Sequence, residues 1–298
     1  MSIIDLFATS PVWFITSLVI FTLLIGSFLN VVIHRLPIML DREWRKQSQD
    51  LLATTALTSD DKPLPEKYNI VVPRSACPHC GTPITALQNI PVISWLFLKG
   101  KCAKCKASIS IRYPIVEVCT GLLSVIVAIK FGFTWQTAAV LVLTWCLIAL
   151  SLIDFDHQIL PDQITLPLLW IGLLLSALNP PIMGVTTHDA IIGAVLGYLI
   201  LWLIYHVYKL ITGKEGMGYG DFKLLAALGA WMGWKMLPAI ILFSSFTGAV
   251  IGICLILFRG RDHNIPIPFG PYLAAAGWIT MLWGNDIVGA YLRMLHVG

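Results

Sequence analysis

The chain has 298 residues, of which 57% are hydrophobic and only 12% charged, with a mean hydropathy of +0.80 and a formal net charge of +4. Ordinary soluble domains carry about 25% charged residues, so this composition excludes a water-soluble globule and leaves a polytopic membrane protein with the lipid bilayer as its surroundings. At about 20 residues per span, the apolar runs predict an all-α protein with about eight transmembrane helices, near 12–33, 115–131, 136–153, 163–179, 190–211, 223–236, 238–258 and 270–289. The sixth is short and reads as a partial or re-entrant span. The first run exceeds the apolar core of a secretory signal and lacks an Ala-x-Ala-like cleavage site, so it reads as a retained helix.

Charge predicts orientation. Of the 20 Lys and Arg residues, 12 fall between Arg35 and Arg112, in the one long polar segment. The positive-inside tendency makes that segment cytoplasmic and the N-terminus periplasmic. Counting spans forward places loops 154–162, 209–222 and 259–269 on the same side, adding Lys209, Lys214, Arg259 and Arg261, while the outer loops hold Lys130, Lys235 and Arg293. The positive charge is thus a topology signal, and nothing calls for nucleic acid.

Taken in order, the first span ends with Gly26, Ser27 and Asn30, three and four residues apart and therefore on one helical face. Helix packing is the simpler reading of that face and substrate contact the alternative. Residues 41–68 are polar and read as a surface helix or mobile loop. Next come Cys77-Pro78-His79-Cys80 and, 21 residues later, Cys102-Ala103-Lys104-Cys105. Two Cys-x-x-Cys knuckles fit a four-thiolate zinc site in a small zinc-ribbon-like domain, with a connection slightly longer than usual. A redox dithiol pair and unpaired thiols are the alternatives, and a reducing cytoplasm disfavours disulfides. Cys119, Cys146 and Cys254 lie in apolar spans and read as small hydrophobes.

Between the knuckles, residues 89–101 include Trp95 and Phe97 and end in Lys99 and Lys101. Membrane-surface binding and packing onto the ribbon are equally good accounts. Glu117 opens the second span, where the macrodipole favours a carboxylate.

The third span ends Ser151-Leu152-Ile153-Asp154-Phe155-Asp156-His157-Gln158-Ile159-Leu160-Pro161-Asp162. Asp154 is the deepest of three carboxylates. Asp156 and Asp162 compete with it for a chemical role, although helix N-capping accounts for Asp162, and His157 reads as a hydrogen-bonding loop residue. The stretch Gly216-Met217-Gly218-Tyr219-Gly220-Asp221-Phe222-Lys223 places a second carboxylate at the mouth of the sixth span, behind a glycine-rich loop expected to move because it has little to pack against. An ionisable group in such a position pairs with something or does chemistry. Residues 266–271 read as a stiff turn serving structure.

Asp154 and Asp221 are 67 positions apart, yet both fall at cytoplasmic helix ends. Two carboxylates facing each other hold one proton between them, and such a pair activates water against a peptide carbonyl in aspartic proteases. A buried ion pair or proton relay is the alternative. No serine-centred elbow and no His-Glu-x-x-His helix is present.

Six stretches together resemble the type IV prepilin peptidases, bifunctional inner-membrane enzymes also called leader peptidase/N-methyltransferases. They are residues 26–37, the two knuckles, Arg112-Tyr113-Pro114 with Glu117, Asp154-x-Asp156-His157 through Pro161-Asp162, residues 213–223, and 266–271. The resemblance implies cleavage of the basic leader of type IV prepilins and type II secretion pseudopilins on the cytoplasmic side. Methylation of the new N-terminus from S-adenosylmethionine would follow. It implies Asp154 and Asp221 as the catalytic pair, with Asp156, His157, Asp162, Gly218, Gly220 and Lys223 in support, and zinc on Cys77, Cys80, Cys102 and Cys105. Gly100 and Lys101 are the weak guess for the methyl-donor site. The implied division is a first span (1–36), a cytoplasmic zinc-binding and methyltransferase segment (37–114) and a transmembrane peptidase (115–298). A presenilin-like protease shares the Gly-x-Gly-Asp motif but would show a Tyr-Asp motif and no zinc ribbon. A proton- or metal-coupled transporter would show inverted repeats and midplane charges, and a non-catalytic assembly factor would need no acidic pair.

Overall fold

A computed structural model describes residues 3–52, 67–259 and 267–294. Among these the protein is helical, with two isolated β-bridges and no extended sheet. The helices are α1 (Ile3–Thr9), α2 (Pro11–Leu52), α3 (Ile93–Phe97), α4 (Arg112–Phe131), α5 (Trp135–His157), α6 (Asp162–Ala177), α7 (Thr187–Thr212), α8 (Tyr219–Met232), α9 (Leu237–Arg259) and α10 (Gly270–Met294). Among the described residues, five segments are long and apolar enough to cross a membrane, at Pro11–Ser48, Arg112–Phe131, Trp135–His157, Thr187–Thr212 and Trp234–Leu255, and α6 is a shorter apolar helix. The chain divides into two compact units, Met1–Ile129 and Lys130–Gly298.

In the first unit, α2 is 42 residues long and passes through Pro37. At 1.5 Å per residue it measures about 63 Å, twice the hydrocarbon thickness. The sequence leads one to expect a helix end at this proline, since it forfeits one backbone bond and crowds the preceding turn. The helix continues because Val32, Ile33, Leu36 and Leu40 are all buried around it. Arg35 fixes the same level: its guanidinium donates to the carbonyls of Asn69 at 2.9 Å and Pro73 at 2.6 Å and lies over the Tyr68 ring. Residues 53–66 of the expected surface segment lie outside the described residues.

The Gly26 face packs on α4. A Cβ at Gly26 would come 2.7 Å from the Glu117 Cα, and Asn30 Nδ2 donates to the Tyr113 carbonyl at 3.1 Å. Glu117 is not in the first turn of α4 and does not serve the helix dipole as expected. It is buried, and its carboxylate accepts the Val92 amide at 2.7 Å.

In the second unit, α8 packs against α6, α7 and α10. Phe222, Leu224, Leu225, Ala227, Leu228 and Trp231 are all essentially inaccessible to solvent, so the helix is apolar on every side and belongs in the middle of the bundle. Its closest neighbour is α7. A Cβ at Gly193 would lie 2.3 Å from the Gly229 carbonyl oxygen, and one at Gly229 would lie 2.1 Å from that of Gly193. This is backbone-to-backbone packing of the kind small residues permit in membranes. Gly172 on α6 leaves room for the Trp231 indole, whose Nε1 donates to the Leu168 carbonyl at 2.8 Å. Several hydroxyls inside the apolar helices bond back to their own helix, as Thr144 does to Val140 and Ser151 to Leu147, which satisfies them without water, whereas the buried Thr280 Oγ1 has no partner among the described residues.

Gly229→Ala is expected to force α7 and α8 apart and cost about 1–3 kcal/mol, lowering the unfolding midpoint in detergent. Gly289→Ala, where an added Cβ meets nothing within 4 Å, should leave the midpoint unchanged or raise it.

Candidate active site and metal centre

Three helix ends converge in the second unit. The left-handed Gln158, whose amide donates to the Asp154 carbonyl, closes α5 one turn after Asp154. α8 starts at Tyr219 with Asp221 in its first turn, at the positive end of the helix dipole. α10 starts at Gly270.

Asp154 is 5% exposed and Asp221 6% exposed, so both carboxylates are buried at the converging helix ends. Asp154 Oδ2 accepts the Gly270 amide at 3.0 Å. Asp221 Oδ1 is buried and has no hydrogen-bond partner among the described residues, a costly state unless water or substrate reaches it. A Cβ at Gly270 would lie 2.7 Å from Asp154 Oδ2 and 3.1 Å from Leu160, and one at Gly220 would lie 2.7 Å from the Leu160 Cβ. Leu160 thus packs against both the glycine whose amide bonds Asp154 and the glycine before Asp221.

Sequence reasoning singled out neither Gly270 nor Leu160. The segment containing Gly270 reads as a stiff turn, yet its amide holds the Asp154 carboxylate; Pro266, in the same motif, lies outside the described residues. Asp162 departs from the capping account. Pro161 occupies the cap position without a side-chain bond, Asp162 is the first residue of α6, and its carboxylate takes the Lys223 ammonium at 2.7 and 2.8 Å. Lys223 follows Asp221 by two residues, so this pair fastens the start of α6 to the start of α8. Asp156 and His157 are exposed on the last turn of α5. Gly218 is the N-cap of α8, its carbonyl accepting the Asp221 amide at 3.2 Å. The glycine loop has more to pack on than its composition suggests. Lys209 bonds Glu215 at 2.8 Å, and Gly216 lies against the Tyr208 ring.

The first unit holds a separate cluster. The sulfurs of Cys77, Cys80, Cys102 and Cys105 all lie within 4.8 Å of one another, with Cys77–Cys105 at 3.8 Å and Cys80–Cys102 at 4.0 Å. Thiolates about 2.3 Å from a tetrahedral ion would be about 3.8 Å apart, so the four residues fit a metal. The knuckles repeat one backbone pattern. The amides of Cys77 and Cys102 donate to Thr82 and Ala107, those of Gly81 and Lys106 donate back to Cys77 and Cys102, and one bridge frames each turn. Gly81 and Lys106 both take the left-handed conformation that this turn requires. Hydrogen bonding with Thr82, side chain first and then backbone, pulls the Cys80 thiol down to about 6, while, against its Ala107 backbone bond, desolvation and the neighbouring sulfurs push the Cys105 thiol up to about 11, so the thiols titrate as one cluster. Gly100, also left-handed, accommodates the Trp95 ring 2.9 Å from where its Cβ would be, while Lys101 is exposed and bridges to Ser108. Both thus have places in the local fold.

Gly270→Ala is expected to displace the Asp154 carboxylate by about an ångström, lower turnover about 10²-fold and cost about 1–3 kcal/mol of stability. Steady-state kinetics beside a melting curve checks this.

Comparison with known proteins bears on both units. The Bacterial Peptidase A24 N-terminal domain profile matches residues 20–131, and that of the Type IV leader peptidase family matches residues 141–253. A prepilin leader peptidase/N-methyltransferase from Aeromonas salmonicida is 58% identical over 284 residues, covering 95% of this chain and 96% of that protein. Proteins of the same name from Stutzerimonas stutzeri and Pseudomonas aeruginosa are each 52% identical, over all of both chains and 98% of both chains respectively. No solved structure matches. With identity this high over nearly the full length, the chain belongs to the type IV leader peptidase family, peptidase A24.

Proposed function

We propose that this protein is a prepilin leader peptidase/N-methyltransferase, acting on type IV prepilins and type II secretion pseudopilins, with Asp154 and Asp221 as the hydrolytic pair. The observation that carries this is the pair itself: two buried carboxylates from different helices, brought to one locality through Gly270, Leu160 and Gly220, with one Asp221 oxygen lacking a partner among the described residues. Holding one proton between them, they divide the work of amide hydrolysis. The ionised member takes a proton from water as its oxygen attacks the scissile carbonyl carbon, and the protonated member gives its proton to the carbonyl oxygen. The C–N bond then breaks as a proton returns to the leaving amine. Gly270 would keep Asp154 oriented, and the Asp162–Lys223 pair would hold Asp221's helix in register. Asp156, His157, Gly218 and Gly220 lie on the flanking turns in supporting places.

We place the protein in a bacterial inner membrane with eight spans, α2 and α4 to α10 except the tight turns, the N-terminus periplasmic and the aspartates toward the cytoplasm. The clustering of Lys and Arg between residues 35 and 112 supports this orientation. In this reading residues 1–36 are the first span, 37–114 the metal-binding and methyl-transfer segment, and 115–298 the peptidase. The metal on Cys77, Cys80, Cys102 and Cys105 is zinc, the ion that tetrahedral thiolate sets favour. S-adenosylmethionine, when bound, supplies an activated methyl group for the new N-terminal amine. Gly100 and Lys101, beside the second knuckle, are the residues offered here for that donor.

Asp154→Asn and Asp221→Asn are each expected to lower leader cleavage about 10²–10⁴-fold while leaving methylation of a pre-cleaved peptide intact; cleavage at the parental rate in either variant would remove the pair from the mechanism. A strong chelator should release about one zinc per chain and lower methyl transfer more than cleavage, as read by metal analysis and two separate product assays.

A further inference from the structure

The first unit leaves an apolar surface uncovered around α3. Phe97 is 84% exposed, Leu96 60% and Ile93 51%, with Leu87 just before them at 77%. α3 has only five residues, so its position, and not helical amphipathicity, must say what covers it.

That position is fixed by two hydrogen bonds to the start of α4. The Val92 amide donates to Glu117 at 2.7 Å, and Trp95 Nε1 donates to the Ile109 carbonyl at 3.2 Å. α4 has 20 residues and is apolar enough to span a membrane. At 1.5 Å per residue it is about 30 Å long, the full hydrocarbon thickness with no slack. Arg112 must then stand at the boundary, and Glu117, five residues on, lies about 7.5 Å inward. The start of α3 is held at that depth and its Trp95 at the level just outside α4. This is the zone about 5–10 Å deep where interfacial segments lie.

Two further features fit lipid. Backbone groups at such depth need protein partners. The amides of Ser94, Leu96, Leu98, Lys99 and Gly100 donate to carbonyls within the stretch, and that of the left-handed Val92 to Glu117. Exposed Lys99 and Lys101 follow α3 directly, suited to anionic headgroups. On α4 itself Ile115, Val118 and Leu122, three and four residues apart on one face, are also exposed.

We infer that residues 87–98 are an interfacial anchor that inserts Leu96 and Phe97 into an anionic bilayer at the level of Arg112 and thereby holds the four-cysteine lobe against the membrane. The inference depends on α4 crossing the membrane and is independent of the catalytic assignment.

The test uses the full-length, metal-loaded protein in nanodiscs containing phosphatidylglycerol, with Cys119→Ala, Cys146→Ala and Cys254→Ala replacing the span thiols. A spin label is placed through Leu96→Cys, Phe97→Cys or, as the aqueous reference, Lys104→Cys. Labels at 96 and 97 are expected to collide severalfold more with dissolved oxygen than with a water-soluble nickel chelate, and the label at 104 the reverse. Preferential collision with the nickel chelate at 96 and 97 would overturn the inference. Weak collision with both reagents would do the same, since it would mean that protein, a second copy included, covers the patch. Retention of metal by each variant shows that the lobe is folded, and Leu96→Cys and Phe97→Cys are read independently.

Discussion

Burial of charge in an apolar bundle is the constraint on which the second unit depends. A carboxylate can be kept there only if hydrogen bonds, a helix end or a shared proton offsets the loss of water. Asp154 has the Gly270 amide, and Asp221 has the positive end of α8. Asp221 Oδ1 is left without a partner among the described residues. Holding such a group in place needs stability from elsewhere in the bundle.

It comes chiefly from α8. A helix of 14 residues, buried on all sides, has a fixed position only if its neighbours approach closely. The reciprocal contact of Gly193 and Gly229 brings α7 to backbone distance, and Gly172 admits Trp231 from α6. These contacts fix the axis of α8, and the Asp162–Lys223 pair fixes its end. Placement of Asp221 thus depends on glycines that pack two to three turns further along α8.

The first unit meets a different problem by different means. Its polar segment is too small to enclose a large apolar core, and four sulfurs at tetrahedral spacing supply the cross-link that a core would otherwise provide. Arg35 and Glu117, both buried, tie this segment to α2 and α4 through backbone groups of residues 69, 73 and 92. Read as sequence, one looks like a topology charge and the other like a cap, because the carbonyls and the amide they bond are side-chain-independent and leave no pattern in the chain.

Hydrophobic run length, the Cys-x-x-Cys spacing and the depth of Asp154 and Asp221 at the ends of apolar runs were legible directly, since each is a local property of the chain. Membrane character, the four-thiol cluster and the choice of Asp154 and Asp221 as the residues in need of explanation follow from them. The resemblance of six ordered motifs carried the family. Only the tertiary structure decided that Asp162 pairs with Lys223, that Gly270 and Leu160 shape the space between the aspartates, that α2 continues through Pro37 and that Phe97 faces outward while Trp95 packs inward. Each of these turns on which groups approach across 30 to more than 100 positions of sequence, or on which side of a five-residue helix is covered. Such distances are set by packing against neighbours, which residue order alone does not encode locally.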